Sequence, residues 1–213
     1  MARRRGTFIT FEGTEGAGKS TLIQEILTRL RLTGVPCIRT REPGGTPVAE
    51  KIRPILLEES MHPWTEAFLY QAARSEHVER IILPALAEGK VVLCDRFTDS
   101  TLAYQGHARG LNLRELEKLN HLATRGLKPD WSIFVDLPPA EGLKRATEIT
   151  RFEKEGEGFQ KKVRQGFLKV IRKSPKRWTV LNSHKYLPEQ LADQFMLVFN
   201  KRSSLLRLKR RTP

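Results

Sequence analysis

Eight residues near the start of the chain, Gly13-Thr14-Glu15-Gly16-Ala17-Gly18-Lys19-Ser20, bring three glycines, a lysine and a hydroxyl together at the spacing G-x-x-x-x-G-K-S. Glycine lets a backbone curl tightly enough for successive N–H groups to face one anion. A helix starting near Lys19 would add its positive end. In that arrangement Lys19 reaches the β- and γ-phosphates and Ser20 offers an oxygen to Mg²⁺. The cradle comprises Gly13, Thr14, Glu15, Gly16, Ala17, Gly18, Lys19, Ser20 and Thr21. The expected ligand is a nucleoside triphosphate with Mg²⁺. The loop alone does not separate a switch, a motor and a small-molecule kinase.

Two more loops bear on that choice. One runs from Thr40 through Arg41, Glu42 and Pro43 to Thr46, the other from Asp95 and Arg96 to Thr101. Each follows an apolar run that reads as a strand. In parallel α/β sheets, ligands sit beyond the carboxyl ends of the strands. The three loops should therefore crowd one crevice, where Arg74 and Arg96 could grip a monophosphate as bidentate forks.

The elements that must position these loops follow from periodicity. Strands are expected at residues 7–11, 35–40, 90–94, 131–135 and 178–181. Helices are expected at 20–32, 48–57, 64–88, 100–104, 113–124, 140–147, 159–172 and 188–200. Strands alternating with helices imply an α/β fold: a three-layer sandwich with a five-stranded parallel sheet and helices on both faces. The polar run 147–158 reads as a short mobile lid. Residues 203–213 read as a basic tail, either a short helix or disordered. Neither a repeat nor a linker divides the 213 residues, so a single domain, 1–213, is expected.

Composition narrows the setting. No run of about 18 apolar residues exists to span a membrane, and the basic start is not followed by a signal peptide. Cys37 and Cys94 lack metal-ligand spacing and fit a reducing compartment as small buried hydrophobes. A cytoplasmic protein is expected. The net charge of +14 is concentrated after residue 160, where 15 Lys and Arg face two acids, Glu189 and Asp193. Such a region is either a solvated face or an attractor of polyanions, nucleic acid included. The aromatics in and just before it, among them Phe159, Phe167, Trp178, Tyr186, Phe195 and Phe199, have core-like spacing rather than the interleaving of a base-stacking platform.

Five stretches carry a more specific signal: FEGTEGAGKST, TREPGGTPVAEKIR, AARSEHVERIILPAL, VVLCDRFTDSTLAYQGHARGL and KPDWSIFVDLPPAEGLKRA. In this order they resemble the successive signatures of thymidylate kinases, P-loop enzymes that transfer the γ-phosphoryl of ATP to dTMP to give dTDP. The resemblance covers residues 7–167, about three quarters of the chain. It implies that Lys19 and the loop amides bind ATP phosphates, with Ser20 and Asp95 at Mg²⁺. It implies that Glu12 is an acid near the acceptor, and that Asp95 and Arg96 address the metal-linked water and both phosphates. Arg41 and Glu42 would flank dTMP, with Tyr70 stacking on thymine and Arg74, one turn on, bonding the base. Ser100, Thr101, Tyr104 and Gln105 would line base and sugar, Tyr104 crowding out a ribose 2′-hydroxyl. Phe68, beside the pocket, is expected in the core. A homodimer is also implied.

The resemblance weakens at one place. In the family the lid reads like RxRGxxDRIE. Here Thr147-Glu148-Ile149-Thr150 stands between Ala146 and Arg151-Phe152-Glu153, about three residues short and without the leading arginines. Arg151 alone aligns with a lid arginine. It is either the catalytic cation, helped by Lys144, Arg145 or a residue of the basic quarter, or an anchor of the lid. Two alternatives to an ordinary kinase follow: a weakly active paralogue that binds nucleotides or uses another acceptor, and a nucleotide-dependent nucleic-acid-associated module.

Overall fold

The computed structural model describes residues 5–146 and 150–208, with side chains through Arg202. Five strands form one sheet: β1 (Thr7–Glu12), β2 (Cys37–Arg41), β3 (Val91–Asp95), β4 (Trp131–Asp136) and β5 (Trp178–Asn182). All pairings are parallel and the order is β2-β3-β1-β4-β5. The chain leaves β1 toward β2 on one side and leaves β4 toward β5 on the other. A crevice opens where these directions diverge. Phe11 lies opposite Asp95, which is in turn opposite Arg41, so all three loops leave the same edge of the sheet.

Both sheet faces are covered, as the near-continuous apolar strands require. On one face, Ile9, Phe11 and Ile133 pack with Leu22, Ile23 and Ile26 of α1 (Lys19–Leu32) and with Phe195 of α10 (Pro188–Leu208). On the other, Phe8, Val92 and Cys94 meet Phe97, Val78 and Ile82. A third cluster joins Phe134 and Trp178 to Tyr104, Phe152 and Phe167.

Between β2 and β3 run α2 (Pro47–Glu58), α3 (Pro63–His77) and α4 (Leu83–Ala87). The single helix expected at 64–88 is instead α3 and α4 joined by a π-helical turn, Val78–Ile82, whose widened step has Leu83 N–H donating to Val78 O. Pro84, which lacks an N–H and collides with the carbonyl four residues back, explains the wider turn. After β3 come α5 (Thr98–Thr101), a second π-helical segment (Leu102–Ala108) and α6 (Leu113–Thr124). After β4 come α7 (Pro139–Arg145), α8 (Arg151–Lys154) and α9 (Gly156–Lys173).

Several expectations shift. β2 starts at Cys37, because Val35 N–H closes α1 on Leu30 O and Pro36 has no donor. Residues 147–149 of the expected lid lie outside the described residues. The rest of that stretch is not a loop: α8 is nucleated by a capping box between Thr150 and Glu153, and α9 follows directly. Of the expected tail, α10 continues to Leu208, and 209–213 lie outside the described residues. Phe68 is not in the core but 55% exposed, and Tyr186 is also exposed. In the basic quarter, Lys161, Arg164, Lys173 and Arg177 form ion pairs with Glu157, Asp136, Glu117 and Asp99.

Candidate active site

The phosphate loop links β1 to α1, and its shape is set by backbone rather than side chains. Gly16 and Gly18 adopt φ of 68° and 84°, and Gly18 caps α1 from the left-handed region. A Cβ on Gly16 would lie 1.9 Å from Gly142 O of α7. The loop is thus pressed against the first turn of α7 with no room for any side chain. Lys19 Nζ donates to Thr14 O at 2.8 Å and Gly13 O at 3.2 Å, folding the lysine over the cradle. Burial, with Arg96 beside it, holds the Lys19 ammonium below its ordinary pKa.

A cavity of about 720 Å³ opens above this loop. Its wall includes Glu15, Gly16, Ala17, Gly18, Lys19, Ser20 and Thr21 on one side, and Arg41, Glu42, Tyr70, Arg74, Ser100, Thr101, Tyr104 and Gln105 on the other. Asp95 and Arg96 stand on it too. The structure therefore gathers seventeen residues singled out from sequence around one space. Gly13 and Thr14 are buried beneath it and turn their carbonyls to Lys19.

Arg96 joins the two sides. Its backbone N–H donates to Phe11 O at 2.9 Å, and its φ of 69° is a left-handed conformation that a non-glycine residue adopts only at a cost. That turn aims the guanidinium back over the loop: Nη1 donates to Gly13 O at 2.8 Å and Nη2 to Glu15 Oε1 at 2.8 Å. Tyr104 O–H donates to the same Glu15 oxygen at 2.9 Å, and its ring lies 5.0 Å from the Arg96 guanidinium. Burial would raise the Glu15 carboxyl, but Arg96 and Lys19 outweigh it and hold the group below its ordinary range.

Glu12 is placed differently from the expectation. It lies under the cavity with no exposed surface, accepting from Phe97 N–H at 2.9 Å and Ser100 O–H at 2.5 Å. Burial, then the nearby Asp99, pushes its pKa up to about 8. The carboxylate that faces the cavity from the phosphate loop is Glu15.

On the far wall, Glu42 and Arg74 form a buried ion pair at 2.7 Å, and His77 Nδ1 lies 3.0 Å from the other Glu42 oxygen. Burial raises the Glu42 carboxyl, but Arg74 and His77 bring it below its ordinary value. Arg74 Nη1 also donates to Thr101 Oγ1 and Asn120 Oδ1, each at 2.8 Å, so the guanidinium is held rigidly at the pocket. Ser20 O–H donates to Asp95 Oδ2 at 2.8 Å. This juxtaposed hydroxyl and carboxylate is a hard-oxygen pair that suits Mg²⁺ completed by phosphates and water.

Sequence reasoning missed Arg53, Leu57 and Phe152 on the wall. Arg53 Nη1 donates to Pro43 O at 2.7 Å, and its place on α2 behind the TREPGG loop was the available signal. Arg145 lines the cavity as well. Arg151 is turned away from it: its Nη1 lies 2.5 Å from Glu66 Oε2 and its Nε donates to Leu56 O at 2.6 Å.

Comparison with known proteins places this geometry. The profile of the family described as Thymidylate kinase matches residues 11–194. The chain belongs to the thymidylate kinase family. It is 48% identical over 189 residues to the thymidylate kinase of Desulfosudis oleivorans, covering 83% of this chain and 88% of that one. It is 50% identical to the thymidylate kinase of Synechococcus sp. strain JA-2-3B'a(2-13), covering 80% and 83%. A third such relative, from Ectopseudomonas mendocina, is 47% identical over 88% of this chain and 92% of its own. The expected family, the parallel five-stranded fold and the expectation of a kinase all stand.

Proposed function

We propose that this chain moves the γ-phosphoryl of ATP onto dTMP with Mg²⁺, giving dTDP. The observation that carries the reading is the single cavity walled by the phosphate loop on one side and by Tyr70, Arg74, Thr101 and Gln105 on the other, with Arg96 joining both. In-line transfer requires donor and acceptor to be aligned and their charge neutralised, with no covalent intermediate.

Loop amides from Gly13 to Thr21 and Lys19 hold the ATP phosphates. Ser20 and Asp95 hold Mg²⁺, which when bound neutralises phosphate charge. Arg96 addresses the acceptor phosphate while fixed to Gly13 O. Tyr70 stacks on the base, and Arg74 with Gln105 bonds it. Arg41, Glu42, Ser100 and Thr101 complete the acceptor wall. Tyr104, tied to Glu15, crowds the sugar where a 2′-hydroxyl would stand. Glu12 supports this wall from below through Phe97 and Ser100.

The protein is read as one kinase domain that works in the cytoplasm, where ATP is renewed and the free thiols of Cys37 and Cys94 stay reduced. Among the described residues no helix is long and apolar enough to cross a membrane. We propose a homodimer, supported by Phe68 and Leu122, which are 55% and 72% exposed on α3 and α6.

The test is coupled-assay turnover of ATP with dTMP beside AMP, GMP, CMP and UMP. Strong preference for dTMP is expected. Turnover confined to another monophosphate, or ATP hydrolysis indifferent to every acceptor, would overturn the reading.

A further inference from the structure

Glu66 is a charged residue with no exposed surface, at a position the reaction as described does not use. It lies on α3 four residues before Tyr70 and eight before Arg74, hence on the same helix face as the two acceptor-pocket residues. Its Oε1 accepts from Gln105 Nε2 at 2.6 Å and Arg109 Nε at 2.9 Å. Its Oε2 faces Arg151 Nη1 at 2.5 Å. Arg109 also pairs with Glu155 at 2.9 Å, beyond α8, and the Arg151 guanidinium lies 4.4 Å from the Phe152 ring centre. One carboxylate thus ties together α3, the second π-helical segment, α8 and the start of α9.

Three features of this cluster bear on function. First, Arg151 is fastened to Glu66 and Leu56 O, and it does not stand on the cavity wall, whereas its neighbours Thr150, Phe152 and Glu153 do. Holding Arg151 is what sets those neighbours over the cavity. Second, Gln105 gives one amide N–H to Glu66, which fixes the orientation of its amide at the pocket. The same carboxylate therefore orients a pocket residue and a lid helix. Third, Glu66 Oε2, Arg109 Nη2 and Arg151 Nη2 are buried without hydrogen-bond partners, so Glu66 and Arg151 meet as an ion pair rather than through a formed hydrogen bond. Such a cluster is not a stability optimum, since apolar packing would avoid that desolvation.

We propose that Glu66 is a positioning residue that latches the short lid to the acceptor side of the cavity, and that Arg151 is the other half of this latch rather than the cation at the transferring phosphoryl. The inference rests on the dTMP kinase reading. The cations described on the cavity wall are Lys19, Arg41, Arg53, Arg74, Arg96 and Arg145, of which Arg41 and Arg74 are read on the acceptor side.

The test uses full-length Glu66→Gln, Arg151→Met and the double variant. Steady-state kinetics with ATP and dTMP are read beside amide hydrogen exchange. Each single variant should raise KM for dTMP about tenfold, within the usual range of couplings between sites, while kcat falls by less. The double variant should cost less than the two single effects combined, because both break the shared Glu66–Arg151 contact. Amides at 151–155 should lose protection while those of α3 keep theirs, which general destabilisation would not produce. A kcat loss of roughly 10³-fold or more in Arg151→Met at unchanged KM would place Arg151 at the phosphoryl and overturn the proposal. So would wild-type KM and exchange in Glu66→Gln. If Glu66→Gln does not fold, Arg151→Met carries the same readouts from the less buried half of the pair. Wild type inactive on dTMP would sink the reaction while the exchange measurement still judged the latch.

Discussion

In the phosphate loop the contacts that shape the chain are mostly local. Lys19 reaches back five and six residues to Thr14 O and Gly13 O, and glycine conformations do the rest. In α8, within the stretch expected as a lid, they come from far away. Arg151 is fixed by Leu56, 95 residues earlier, and by Glu66 on α3. The first region is dictated by its own letters, the second by a partner that only the fold supplies. Chemistry that depends on backbone geometry is therefore hard to lose without a visible change in motif. A lid can be rebuilt by exchanging one long-range contact for another.

That contrast can be broken most strongly on the loop side. Lys19→Ala removes the cation proposed to hold the phosphates, and turnover should fall at least about 10²–10³-fold in the coupled assay. Arg96→Lys should cost nearly as much. A lysine cannot span Gly13 O and Glu15 together, so KM for dTMP should rise and kcat should fall. Gly16→Ala tests the backbone alone. The new methyl would meet Gly142 O, and a φ of 68° strains any side chain. ATP affinity measured calorimetrically should drop about tenfold or more, and the fold should lose about 1–3 kcal/mol in urea unfolding. The lid variants should give the smaller kcat effects described above.

A subtler comparison is by pH. Glu12 is raised from 4.5 to about 8 in the folded chain. Between those values the unfolded chain has lost a proton that the native state keeps, so this group makes stability fall as pH rises from about 4.5 to 8. Glu15 and Glu42, held low, act oppositely: their contribution is present above the ordinary carboxyl range and is lost as pH falls through their folded values. Glu12→Gln keeps an acceptor for Phe97 N–H and presents an N–H donor to Ser100 Oγ, and should flatten the decline toward pH 8 in denaturant titrations. An unchanged slope would mean that Glu12 is ionised in the native protein.

Much of this was legible from sequence because glycine spacing, strand ends and helix periodicity are local signals. The phosphate loop, Asp95-Arg96 and the Tyr70–Arg74 turn all reached the cavity wall. What stayed hidden was the identity of the facing acid. Glu12 and Glu15 are three residues apart in one motif, and only the strand's final direction sends the first under the floor and the second into the space. The helical state of 150–158 was partly readable: Thr150-x-x-Glu153 is a capping-box pattern, outweighed by the polarity of the run and its two glycines. Phe68 was misplaced because an aromatic among apolar residues on a helix reads as core. It sits on the outward side of α3, against Trp64.

The strained turn at Arg96 has one more consequence. Arg96, which we propose meets the acceptor phosphate, is chained to Gly13 O of the loop proposed to cradle the donor. In the proposed reaction Arg96 would serve as a ruler, setting the span between the two nucleotides to one acceptor phosphate. A nucleoside diphosphate offered in place of dTMP would overrun that span, and the enzyme should hand on one phosphoryl and stop.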